Sequence, residues 1–84
     1  MKKRILVVAR YNKVEALRVA AGLTLLSDDV KVDVLGGLED SPQVQEQRDM
    51  LDFAEVPCEL LGDDPSGKRR LAEDIFAADA VYVV

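Results

Sequence analysis

The stretch "VKVDVL", residues 30–35, alternates apolar and charged side chains until Gly36 and Gly37 interrupt it. A period of two belongs to a β-strand, whose successive side chains point to opposite faces. The alternation predicts a strand with one face on a core and the other partly in water, which places it at the edge of a sheet.

Working outward, residues 5–9, "ILVVA", form a continuous apolar run of the kind expected from a strand buried on both faces. The polar break Arg10 to Lys13 leads into a helix over 14–26. Val14, Leu17, Ala21 and Thr24 lie on one stripe, with Val19, Leu23 and Leu26 beside it. This apolar surface is wider than one small sheet needs, and the surplus suggests contact with another subunit.

Downstream of the glycines, Ser41 is the expected cap and Pro42 the first residue of a second helix reaching about Ala54. It should bury Val44, Leu51 and Ala54, with Met50 and Phe53 flanking. Residues 56–61 form a third strand with Pro57 near its start, where a missing ladder donor is tolerated. A third helix spans about 65–78 with Leu71, Ile75 and Ala78 on its stripe, and Ala80 to Val84 is a fourth, apolar strand.

The order β-α-β-α-β-α-β implies one α/β domain over residues 1–84: a three-layer, flavodoxin-like fold with a four-stranded parallel sheet and helices on both faces. With the alternating strand at an edge, the expected strand order is 2-1-3-4. Strands 1 and 3 would then flank the ligand-binding crevice.

Bulk properties narrow the function classes. The 84 residues carry a net charge of −5, which disfavours nucleic-acid binding, since phosphate neutralisation needs surplus Lys and Arg. The apolar runs are far shorter than a membrane span. "MKKR" is not followed by a signal-peptide core. One cysteine and no histidine supply neither a disulfide framework nor a metal cluster, and no cofactor is implied. Together these features describe a cytoplasmic protein. The basic groups at Lys2, Lys3 and Arg4 and at Lys68, Arg69 and Arg70 are read as solvated element ends, and the acidic pairs Asp28–Asp29 and Asp63–Asp64 as loop and cap residues.

"GDDPSGKRR", residues 62–70, has the glycine and lysine spacing of a phosphate-binding P-loop, but Arg69 stands where a magnesium-binding Ser or Thr belongs. Asp63 and Asp64 would also set two carboxylates against the phosphates. A helix start explains the same residues better: Asp64 caps, Pro65 takes the first turn, and Gly67 lets the loop turn closely. The cations at Lys68 and Arg69, with Gly62, and with Arg10 and Asn12 across the expected crevice, outline a site for a small anion or nucleotide. A phosphoacceptor reading fails because the first strand ends in Ala9-Arg10 without acidic residues.

Cys58 is the candidate nucleophile. Its place within a strand, with no histidine to activate it, favours a role as small apolar filler.

The run "RILVVARYNKVEALRVAAGLTLLSDDVKVDVLGG" and the closing "AEDIFAADAVYVV" resemble the DsrE/DsrF-like family of small sulfur-relay proteins. The resemblance implies a flavodoxin-like fold, a trimeric or hexameric assembly, and partners in sulfur metabolism. In the active carriers of that family the working cysteine follows the third strand, whereas Gly62 to Gly67 contains none. The expectation is therefore a non-catalytic, homo-oligomeric binding or accessory module. The alternatives are a persulfide carrier using Cys58 and an anion- or nucleotide-binding module between strands 1 and 3.

Overall fold

The computed structural model describes residues 3–26 and 29–84. Lys2 and Asp28 lie outside the described residues, as does the side chain of Leu26. Strands β1 (Arg4–Ala9), β2 (Asp29–Leu35), β3 (Cys58–Leu61) and β4 (Ala80–Val83) alternate with helices α1 (Lys13–Leu23), α2 (Pro42–Phe53) and α3 (Pro65–Ala77). A 3-10 turn over Thr24–Leu26 finishes the segment expected to be α-helical throughout. All strand pairs are parallel.

The sheet order is β3-β2-β1-β4, which corrects the expected 2-1-3-4. The physical reason lies in the stretch that suggested an edge. Val30, Val32 and Val34 join Ile5, Val7 and Ala9 in a core capped by Ala16, Leu17 and Ala20 of α1 and Val44 and Leu51 of α2. The opposite face carries Leu6 and Val8 of β1 in register with Lys31 and Asp33 of β2, and Glu59 of β3 aligned with Asp33. That face lies under α3, from which Asp74 reaches Lys31 at 2.7 Å. The polar half of the alternation thus pairs with charges from two other elements instead of meeting water. A charged row can occupy the interior of a sheet when it is compensated in this way.

α1 and α2 occupy one face and α3 the other, as a single crossover hand requires for a chain that steps β1 to β3 and then returns past β1 to β4. The edges are β3 and β4. β3 begins at Cys58, with Pro57 just before it, so its missing amide donor costs no ladder bond.

Capping follows the residues that the sequence singled out. The Ser41 hydroxyl accepts from the Val44 amide at 3.2 Å, and the Asp64 carboxylate accepts from the Gly67 amide at 2.7 Å. Both α2 and α3 have proline in the first turn. The expected buried stripes are only partly realised. Ala54 is exposed, and Ile75 of α3 is 44% exposed. α3 instead turns Gly67, Leu71, Asp74 and Ala78 inward. On α1, Ala16, Leu17 and Ala20 are buried and Val14, Val19, Ala21 and Leu23 half-buried, while large apolar side chains stand exposed at Leu25 and on α2 (Phe53), α3 (Phe76) and β4 (Tyr82).

Candidate functional site

β2 carries Lys31 and Asp33 to the α3 face, β3 adds Glu59, and α3 adds Arg70 and Asp74 one turn apart. Asp33 is fully buried, the one buried charged residue among those described, and neither of its carboxylate oxygens has a hydrogen-bond partner. The Lys31 ammonium donates to Asp74 Oδ2 at 2.7 Å and lies farther from Asp33 Oδ1, 3.7 Å, and Glu59 Oε1, 3.9 Å. Arg70 Nε donates to Glu59 Oε2 at 3.0 Å and stands 3.8 Å from Asp74 Oδ1. One oxygen from each of Asp33, Glu59 and Asp74 falls within 4.8 Å of the other two.

Burial, followed by the neighbouring Asp74 carboxyl, pushes Asp33 up to about 7. Burial would raise Asp74 too, but the neighbouring Asp33 carboxyl and the hydrogen bond from Lys31 outweigh it and hold Asp74 below its ordinary value.

The sign of the pH effect follows. Asp33 binds its proton more tightly folded than unfolded. Its contribution to stability is therefore full below the ordinary value of 3.8, declines as pH rises toward 7, and is level above that. Asp74 acts in the opposite sense, but below its ordinary value of 3.8, outside the interval tested. In chelator-containing buffer, urea unfolding at pH 5 and pH 8 is expected to show the wild type losing on the order of 2 kcal/mol more than Asp33→Asn. Equal losses would show that Asp33 is ionised throughout.

A groove of about 800 Å³ opens at the N-terminal ends of the strands beside this cluster. Arg4, Lys31, Glu55, Pro57 and Asp74 are among its lining residues.

The residues expected to share a crevice are not brought together, because β2 lies between β1 and β3. Arg10 is exposed beside the Tyr11 ring, 5.1 Å from its centroid. Asn12 caps α1, its side chain accepting from the Glu15 amide at 3.2 Å. Gly62 packs its carbonyl against Gly67. Lys68 lies 3.7 Å from Asp63 at the surface, and Arg69 is exposed. The strand order moves the topological switch point to between β1 and β4. There the amides of Arg10 and Tyr11 both donate to the Val84 carbonyl at 2.9 Å.

Cys58 is the first residue of β3 rather than mid-strand, and it is half-buried facing α2. Burial pushes its thiol up despite the nearby Arg48, so little thiolate forms at neutral pH.

The Asp33, Glu59 and Asp74 cluster has no linear motif, since its members come from three elements. Two signals were present in the sequence: Lys31 and Asp33 on one strand face, and Arg70 and Asp74 four apart on one helix face. Against protein-family models and against curated proteins, the chain matches none.

Proposed function

We propose that this chain is a homo-oligomeric, non-catalytic binding module whose subunits associate along β4. The observation that carries the reading is the state of that strand. Among the described residues β4 pairs only with β1, and Val81, Tyr82 and Val83 all remain exposed. An apolar edge strand with free backbone donors and acceptors is a template for another strand, and soluble proteins usually blunt or cover such edges. The occupant proposed is a second copy. Antiparallel pairing of two β4 strands about a two-fold axis would extend the sheet and bring together the apolar side chains on both of its faces.

The resemblance to DsrE/DsrF-like proteins supports the same reading and suggests an accessory role in sulfur metabolism. Pairing about a two-fold axis builds dimers, which can compose a hexamer but not a trimer. The raised Cys58 thiol speaks against direct persulfide transfer.

Sedimentation velocity at high micromolar concentration is expected to show an oligomer with an even number of subunits. Val83→Lys should convert it to a folded monomer with an unchanged circular dichroism spectrum. A wild-type monomer under those conditions overturns the proposal. Rapid native-state labelling of Cys58, or a persulfide on it after incubation with a sulfur donor, would favour the carrier reading instead.

A further inference from the structure

We infer that the carboxylates of Asp33, Glu59 and Asp74 form a binding site for a hard divalent cation beneath α3. Two separate observations converge on this point. The first is geometric: three carboxylates from β2, β3 and α3 each present an oxygen within 4.8 Å of the others, close enough for a shared ion after a small contraction. The second is the state of Asp33. It is fully buried at the cluster, and neither oxygen receives a hydrogen bond from the described residues. Leaving a buried carboxyl without a donor is costly, and a cation is the ligand that satisfies both oxygens at once.

An entering ion has to displace the Lys31 ammonium, which stands within 4 Å of all three carboxylates. Lys31 makes one short bond, to Asp74, and stands 3.7 Å and 3.9 Å from the other two carboxylates. Arg70 engages Glu59 through Oε2 at 3.0 Å, and among the described residues Oε1 has only the distant Lys31. The lysine lines the adjoining groove, and its flexible stem can withdraw the ammonium into it as an ion enters. Three carboxylates, one divalent ion and Arg70 then sum to zero charge. All-oxygen ligation selects Mg²⁺, Mn²⁺ or Ca²⁺ over the softer metals that prefer Cys and His.

The test is Mn²⁺ titration of the full chain, read by the electron paramagnetic resonance signal of the free ion. Binding of one ion per chain with a Kd in the ~0.1–1 mM range is expected, as for the weaker oxygen-ligand sites. Asp33→Asn and Glu59→Gln should each weaken it at least ~10-fold, with Mg²⁺ and Ca²⁺ competing in the wild type. Asn is nearly isosteric with Asp and carries no charge to desolvate, so that variant should fold. Should it fail to, Glu59→Gln decides, because Glu59 is at the rim with its side chain 38% exposed. A wild type that retains no Mn²⁺ at several millimolar overturns the inference. So does a folded Glu59→Gln variant that binds as the wild type does, since the ion would then sit on scattered surface acids.

Discussion

Lys31→Met is expected to destabilise the protein by about 3–5 kcal/mol at pH 8, the range observed when one member of a buried charge group is removed. Methionine keeps most of the stem's volume, so the loss isolates the ammonium. Without it, the fully buried Asp33 has no ion-pair partner among the described residues, and the mostly buried Asp74 keeps Arg70 at 3.8 Å. The direction of the pH dependence is a further check. Asp33 titrates near 7, so at pH 5 it is protonated and the uncompensated charge is smaller. The cost of the substitution should therefore shrink between pH 8 and pH 5, read as the shift in urea midpoint at each pH. A cost below about 1 kcal/mol at both pH values would place Lys31 among ordinary surface pairs.

Gly67→Ala is expected to cost about 3 kcal/mol, at the upper end of what inserted methyl groups cost in packed sites. A Cβ at this position would collide with the Gly62 carbonyl oxygen, and it would also press on the Asp64 side chain at 3.0 Å. Backbone is the obstacle, so rotamer changes cannot relieve it. The first turn of α3 must move away from the end of β3, weakening the bond from Asp64 to the Gly67 amide that caps the helix. Thermal unfolding followed by circular dichroism measures this. Gly22→Ala is the control, since a Cβ there meets nothing within 4 Å, and that change should be neutral or stabilising. A Gly67→Ala variant as stable as the wild type would show that α3 is not held against the Gly62 loop.

The glycine spacing that imitates a P-loop thus has a packing explanation. Reading "GDDPSGKRR" as a cap needed only local chemistry, because Asp64, Pro65 and Gly67 act within one turn of each other. The same holds for Ser41 and Pro42. The cluster of Asp33, Glu59 and Asp74 was not legible in that way. Each residue is an ordinary charged residue in its own segment, and only the pairing of β2 with β3 and the passage of α3 over both brings them together.

The sequence by itself determined the alternation of strands and helices, the parallel sheet, the placement of helices on both faces and the caps of α2 and α3. All of these follow from periodicities and turn chemistry that act over a few residues. Tertiary structure decided the order of the strands, and with it which residues share a site. An alternating strand has the same local pattern whether its polar face meets water or a row of compensating charges. What separates the two cases is whether distant residues supply those charges, here Glu59 and Asp74 beside Lys31 and Asp33.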